Sequence, residues 1–262
     1  GGPKAADFGC EAVVDTFNRR AVKFIRESAA AKKPFFLYFP LTSPHKPVIP
    51  SARFKGKSEY GIYGDFVIET DDAVGQILKV LDKTKQADNT IVVVTSDNGS
   101  FMFRIDEGKP DHIEDFSAVG YHPKHHQSNH IWRGTKADIY EGGHRVPFIV
   151  RWPKGIKAGQ RTNAIACHTD LYPTMEAITG QTRQDIGGED GYNLVPVFNG
   201  ESTTTGRNTL ISHSISGHFA IRQGDWKLCL SAGSGGWSAP RERDAQKRGL
   251  PSMQLFNLAE DK

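Results

Sequence analysis

The chain has 262 residues and a formal net charge of +3 with histidine neutral. Its charge is nearly balanced, so it lacks the basic composition typical of nucleic-acid-binding proteins. No apolar run approaches the roughly 20 residues of a membrane helix. Three widely separated cysteines indicate neither a disulfide framework nor a zinc site. The length suits one large domain, or one domain with a small appendage.

The first part of the chain alternates helical and strand patterns. Apolar residues at helical spacing predict a helix from Glu11 to Ala31 and a longer one from Glu59 to Leu81. We interpret the acidic residues of the second helix, among them Asp65 and Glu69, as solvated charges or local caps. An apolar run at residues 35–39 predicts a buried strand between the helices. This alternation predicts a doubly wound, mainly parallel sheet with helices on both faces.

His45 is the first candidate functional residue. It lies in a loop after the first predicted strand, at residues 40–47, which contains three prolines. Prolines in such a loop hold the backbone extended and remove hydrogen-bond donors. The residues alone leave open a surface histidine in a proline turn.

The run from Thr90 to Gly99 predicts the central strand. Its β-branched apolar residues show no alternation, which is typical of a strand buried on both faces. It ends abruptly in Asp97-Asn98-Gly99, and ligands of open α/β sheets bind just beyond the carboxyl ends of strands. Carboxylate and amide oxygens suit Ca²⁺ or Mg²⁺. Asp97 and Asn98 are therefore candidate metal ligands, although Asn-Gly is also a common turn dipeptide.

Two polar stretches follow the central strand. Residues 100–129 lack periodicity and predict a long loop over a cleft, whose histidines fit no closed zinc pattern. Residues 132–147 bring Lys136, Glu141, His144 and Arg145 together in sequence. The lysine and arginine suit an anionic substrate, whereas Glu141 and Arg145 could instead pair with each other.

The remaining elements are a strand at residues 148–152, a short helix at residues 170–179 that Gly180 ends, and a hairpin around Gly224. A Gly/Ser-rich loop at residues 231–238 and a short strand at residues 254–258 complete the chain. We therefore expect a large α/β domain at residues 1–205 and a small antiparallel α+β subdomain at residues 206–262.

Four blocks of this sequence, in the same order, resemble the sulfatase family within the alkaline-phosphatase-like superfamily. The blocks are residues 35–39 with Pro44-His45-Lys46-Pro47, Val94 to Gly99, Arg133 to Pro147, and Ile221 to Leu228 with Leu255 to Asp261. The resemblance implies an alkaline-phosphatase-like fold and hydrolysis of a sulfuric ester with one divalent cation, usually Ca²⁺, with Mg²⁺ as the alternative. It implies a sulfated small molecule or sulfated saccharide as substrate, and a periplasmic, secreted or lysosomal compartment.

The resemblance also implies a role for individual residues. Asp97 and Asn98 would bind the cation. Lys136 would contact the sulfate, and His45 would contact it while helping the leaving oxygen to depart. The residues that would shape the substrate pocket are His144, Arg145 and His213.

The family's nucleophile motif, C/S-x-P-S-R, is not found in this sequence. Its Cys or Ser matures to formylglycine, and none of the contexts of Cys10, Cys167 and Cys229 fits. The family's N-terminal acidic pair is also missing. We therefore expect the chain to be the C-terminal part of a sulfatase, with formylglycine in the N-terminal region, and to be inactive in isolation. Two alternatives stay open, a non-catalytic binder of sulfated ligands and a phosphatase or phosphodiesterase of the same superfamily.

Overall fold

The computed structural model describes residues 8–101, 126–181 and 187–261, and the chain forms two compact units. The first unit comprises Gly1–Thr90 and Phe101–Ser128, and the second comprises Ile91–Ser100 and Asn129–Lys262. The α-helices are α1 (Val13–Ala30), α2 (Gly61–Lys83), α3 (Glu141–His144), α4 (Leu171–Thr179), α5 (Val195–Phe198) and α6 (Glu242–Lys247). The strands are β1 (Val92–Thr95), β2 (Phe148–Arg151), β3 (Thr209–His213), β4 (Phe219–Gln223), β5 (Trp226–Cys229) and β6 (Gln254–Asn257).

The first unit is built on α1 and α2, which pack against each other as their apolar spacing predicts. Val14 of α1 and Phe66 of α2 share a buried cluster, and Ile25 and Leu81 are also fully buried. Both predicted helices are confirmed to within two residues at each end. Their stability comes from burying these faces more than from the intrinsic propensity of the residues.

Two carboxylates of α2 hold the segment that precedes the helix. Asp65 is buried and accepts hydrogen bonds from the backbone N–H groups of residues 56–58 at 2.7–2.8 Å. Glu69 is equally buried and accepts one from the Ser51 N–H at 2.9 Å. The expectation of solvated charges is therefore wrong for this pair. Asp65 is not a helix cap either, because it lies within α2 and accepts from the turn that precedes the helix.

The predicted strand at residues 35–39 does not form a ladder with any described residue. Its side chains alternate, and those of Phe36 and Tyr38 are 82% and 78% exposed. Within the described part of the chain, the prediction of a buried strand here is therefore wrong, because apolar character alone does not provide a hydrogen-bonded neighbour. The following loop turns instead of staying extended, since the His45 N–H donates to the Thr42 carbonyl oxygen at 3.2 Å.

The second unit contains two antiparallel sheets. Strands β1 and β2 pair with Val92 opposite Arg151, and β1 is only partly buried, whereas burial on both faces was expected. All strand pairs among the described residues are antiparallel, so the mainly parallel sheet stays a prediction. The four-stranded sheet β3-β4-β5-β6 confirms the antiparallel strands expected in the C-terminal part of the chain, whereas a separate subdomain there stays a prediction. The boundary between residues 205 and 206 stays a prediction.

Two further expectations concern loops and membranes. Gly180 ends α4 in the left-handed conformation, with φ of 68°, as its position predicts. The predicted loop at residues 100–129 falls largely outside the described residues, including its His122 and His125. Within the described ranges, no helix has both the length and the apolar character that crossing a bilayer requires.

Candidate functional site

The Asp97-Asn98-Gly99 end of β1 lies directly against α3. The Gly99 N–H donates to the Gly143 carbonyl oxygen at 3.0 Å. A Cβ atom built on Gly99 would lie 1.7 Å from the Gly142 carbonyl oxygen, a distance that no pair of non-bonded atoms can adopt. Glycine is therefore required at position 99. We call this approach of Gly99 to Gly142 and Gly143 the glycine contact.

The same packing brings Lys136 beside the end of β1. The Lys136 N–H donates to the Ser100 carbonyl oxygen at 3.1 Å, and the Gly142 N–H donates to the Arg133 carbonyl oxygen at 2.7 Å. A Cβ atom on Gly142 would lie 2.3 Å from the backbone oxygen of residue 134. Residues 133–136 are thus held between α3 and the strand end.

Asn129 completes this backbone packing. Its buried amide accepts from the Ser100 N–H at 2.7 Å and donates to the Ser100 and Gly134 carbonyl oxygens at 3.2 and 2.9 Å. Sequence reasoning missed this residue, because a single asparagine in a polar stretch carries no periodic or motif signal. Asn129 therefore holds the segment after β1 in addition to the contacts from α3 and from the Lys136 N–H.

Asp97 and Asn98 offer oxygen ligands at the strand end. Ser96 Oγ donates to the Asn98 carbonyl oxygen at 2.9 Å, and the Asp97 side chain is exposed. One carboxylate and one amide fit a hard divalent cation, although Ca²⁺ takes six to eight oxygen ligands in all. Within residues 8–101, 126–181 and 187–261, no cluster of three or more His, Cys, Asp or Glu side chains could hold a metal. The pair therefore fits part of a coordination shell.

Glu141 of α3 lies at the centre of a charge cluster, which consists of Glu141, Arg145, Arg222 and Lys227. Its carboxylate oxygens lie 2.9 Å from Lys227 Nζ and 3.1 Å from Arg222 Nη1. Arg145 Nη1 is more distant, at 3.7 Å. The pairing of Glu141 with Arg145 is therefore confirmed, but the two cations from β4 and β5 are closer.

Burial and charge oppose each other at Glu141. Burial of the carboxylate favours its neutral form, whereas Lys227, Arg222 and Arg145 favour the ionised form. The cations outweigh burial, so the pKa of Glu141 is lower than its ordinary value. The side chain is an anion that ties α3 to β4 and β5, not a proton donor.

His144 and His213 lie near each other in this unit. Burial, together with the positive charge of Lys227, lowers the pKa of His144 to about 4, although the nearby Glu141 carboxylate acts in the opposite direction. The Nε2 atom of His144 has no hydrogen-bond partner among the described residues. His144 is therefore neutral at pH 7. His213 is exposed, and its Nδ1–H donates to the Ser214 carbonyl oxygen at 3.0 Å.

Arg145 is held by an aromatic ring as well as by Glu141. Its guanidinium carbon lies 3.8 Å from the centroid of the Trp132 ring, a distance at which the cation is attracted to the face of the ring. The side chain is still 41% exposed. Arg145 therefore combines a fixed orientation with access to solvent, which suits recognition of an anion.

His45 belongs to the first unit, whereas the other six predicted site residues belong to the second. Its Nδ1–H donates to the Lys46 carbonyl oxygen at 2.8 Å. Its ring centroid lies 5.4 Å from that of Phe101. The loop therefore fixes one edge of an exposed imidazole.

Comparisons with known proteins agree on one family. The sulfatase family model matches residues 10–181. Human steryl-sulfatase is 37% identical over 70% of this chain and 29% of its own length, and an N-acetylgalactosamine-6-O-sulfatase of Bacteroides thetaiotaomicron is 32% identical over 86% and 42%. A solved structure from the glycosaminoglycan-metabolising locus of that bacterium superposes with a TM-score of 0.79 at 28% identity, over 97% of this chain and 50% of the other. The chain thus spans less than half the length of these curated relatives. It has their alkaline-phosphatase-like fold and belongs to the sulfatase family.

Proposed function

We propose that the protein hydrolyses sulfuric esters and that this chain supplies cation ligands and sulfate-binding side chains. Membership of the sulfatase family supports the reaction class. The observation that carries the assignment of residues is the glycine contact, which holds Asp97 and Asn98 beside the segment of Lys136. For the whole protein, the proposal includes a mainly parallel sheet between helices.

Lys136 contacts the sulfate in this proposal. A sulfuric ester spreads negative charge over its oxygens, and further charge develops on the leaving oxygen as the S–O bond breaks. A fixed ammonium group offsets that charge in the transition state. His45 would donate a hydrogen bond or a proton to the leaving oxygen.

Asp97 and Asn98 would hold the divalent cation, Ca²⁺ or alternatively Mg²⁺. When bound, such an ion supplies positive charge that stabilises the reacting group. Formylglycine, the family's nucleophile, is part of the proposal for the whole protein, because no C/S-x-P-S-R motif occurs in these 262 residues.

A sulfated saccharide is the proposed substrate class. The relative that aligns with 86% of this chain is named as an N-acetylgalactosamine-6-O-sulfatase, against 70% for the steryl-sulfatase. Arg145, exposed yet held on Trp132, would recognise an anionic group of such a ligand. Neutral His144 and the nearby His213 would offer hydrogen bonds to sugar hydroxyls.

The reaction is tested by measuring release of inorganic sulfate by the full-length protein from a chromogenic aryl sulfate and from a sulfated N-acetylgalactosamine. Lys136→Ala should lower kcat/KM by about a hundredfold or more, in line with the loss of one transition-state contact. Lys154→Ala is the matched control, since Lys154 is an exposed lysine after β2. Equal rates for the two variants would contradict the role of Lys136.

The cation ligands are tested without any activity measurement. Calorimetric titration of the full-length protein with Ca²⁺ should detect binding to the wild type and its loss in Asp97→Ala. Asp88→Ala, in an exposed turn before β1, is the control and should bind as the wild type does. Ca²⁺ binding that is unchanged in Asp97→Ala would place the ion elsewhere.

A further inference from the structure

The Gly/Ser-rich loop at residues 231–238 has a composition typical of a flexible linker, but the structure buries it. Ser231, Ser234 and Ser238 are each no more than 1% exposed. The loop is held to the block that carries Lys136, because the Ile139 N–H donates to the Ser234 carbonyl oxygen at 2.8 Å. This loop is therefore a fixed part of the unit.

Asp138 is the main attachment point of the loop. Its Oδ1 accepts from the Trp237 and Ser238 N–H groups at 2.8 and 3.1 Å, and its Oδ2 accepts from Ser238 Oγ at 2.5 Å. The same Oδ2 accepts from the Thr135 N–H at 2.8 Å. The fully buried carboxylate of Asp138 thus binds the backbone of Thr135, just before Lys136, and the backbone of Trp237.

The approach of the loop to residues 137 and 138 requires a glycine next to Trp237. A Cβ atom on Gly236 would lie 2.4 Å from the Ala137 carbonyl oxygen and 2.5 Å from Asp138 Oδ1. On the other side, Arg241 Nε donates to the Trp237 carbonyl oxygen at 3.1 Å. The position of Trp237 is therefore determined by contacts before and after it.

The Trp237 ring faces the ammonium group of Lys136. The Nζ atom lies 5.8 Å from the ring centroid, within the roughly 6 Å over which a cation is attracted to an indole face. A lysine side chain has several rotatable bonds, and holding it in one orientation costs conformational entropy. An aromatic face beside Nζ reduces the number of orientations that remain.

We propose that Trp237 is a positioning residue that holds the Lys136 ammonium group where it meets the sulfate. This proposal rests on the proposed function, because it acts through the sulfate contact of Lys136. The loop at residues 231–238 contributes none of the assigned catalytic residues, but it determines the orientation in which the Lys136 ammonium group meets the sulfate. The indole takes part in no bond-making step.

The contact itself is tested by NMR of the protein labelled with ¹³C at lysine Cε. The signal that disappears in Lys136→Ala identifies Lys136, and the ring current of Trp237 should displace it from the other lysine signals. In Trp237→Leu, the Lys136 signal should move to the chemical shift of the other lysine signals. A Lys136 signal that does not change in Trp237→Leu would overturn the proposal, whatever the outcome for sulfate hydrolysis.

The consequence is tested in the full-length protein by a double-mutant cycle on kcat/KM for an aryl sulfate. Trp237→Leu should lower kcat/KM by about fivefold. Trp237→Phe should lower it by about twofold, because a weaker aromatic face remains. The control Trp226→Leu, at an exposed tryptophan, should not lower it. In a Lys136→Ala background, Trp237→Leu should have no further effect. A fivefold loss that persists in that background would overturn the positioning role. Unchanged hydrolysis by Lys136→Ala alone would instead contradict the proposed function, even where the NMR contact is present.

Discussion

Glu141→Gln should destabilise the protein strongly, because it removes the only carboxylate of the charge cluster. The Lys227 side chain is 3% exposed, and its ammonium group lies 2.9 Å from the Glu141 carboxylate. Removing one partner of a buried ion pair leaves the other charge uncompensated and costs about 3–5 kcal/mol. Glutamine keeps one acceptor oxygen and the same shape, so we expect the lower figure, about 3 kcal/mol. For a domain of this size, that corresponds to a fall in Tm of about 6–12 °C.

The free energy of unfolding can be measured by urea denaturation followed by tryptophan fluorescence. Glu260→Gln, an exposed glutamate after β6, is the matched control and should change it by less than about 0.5 kcal/mol. Adding Lys227→Met to Glu141→Gln should restore part of the loss, because the unpaired charge is then removed. A Glu141→Gln protein as stable as the control, or no effect of Lys227→Met, would refute this account of the charge cluster.

Two further predictions concern pH and glycine. The folded protein resists protonation of His144, whose pKa is lowered to about 4, so stability should fall by about 3 kcal/mol as pH falls from about 6.5 to 4. In His144→Gln, the free energy of unfolding measured by denaturation should no longer fall between pH 6.5 and 4. The loss of stability below about pH 4.5 should remain, because it comes from the lowered pKa of Glu141. An unchanged pH dependence in His144→Gln would contradict the burial of a neutral imidazole. Gly99→Ala should cost at least about 2 kcal/mol and abolish sulfate hydrolysis, because its Cβ would overlap the Gly142 carbonyl oxygen. Gly75→Ala, in α2 with open space around the added carbon, should instead raise Tm, and equal Tm values for the two variants would argue against the glycine contact.

The sequence predicts those parts of the fold that depend on neighbours along the chain. Helices α1 and α2 follow from apolar residues at helical spacing, and the β4–β5 hairpin follows from two apolar runs around Gly224. In each case, the residues that determine the element lie within a few turns or a few positions of one another. Local reasoning is therefore sufficient for them.

The parts that the sequence could not predict depend on distant partners. Residues 35–39 carry the composition of a strand, but a strand also needs a neighbour, which the described residues do not provide. The closest cations to Glu141 are 81 and 86 positions away, at Arg222 and Lys227. Likewise, the loop at residues 231–238 is fixed by Asp138, about 100 positions earlier. No pattern of spacing within either segment indicates these contacts.

The residues of the candidate site stay predictions, and the structure shows how the segments that carry several of them are held. The four ordered blocks indicated Asp97, Asn98 and Lys136 by resemblance, and the structure adds the glycine contact and the hydrogen bond from the Lys136 N–H to the Ser100 carbonyl oxygen. Asn129 and Trp237 were missed, because no motif indicates the partners that their side chains contact. Their roles are visible only when the buried hydrogen bonds and the ring contact are located.

The central claim is that the protein breaks sulfuric esters, and the most direct test compares turnover of an aryl sulfate with that of the matched aryl phosphate. The measurement should use the full-length protein with Ca²⁺ present and should quantify the released aryl alcohol. We expect kcat/KM to be higher for the sulfate and to fall sharply in Lys136→Ala. Preference for the phosphate, or binding of both esters without turnover of either, would contradict the account.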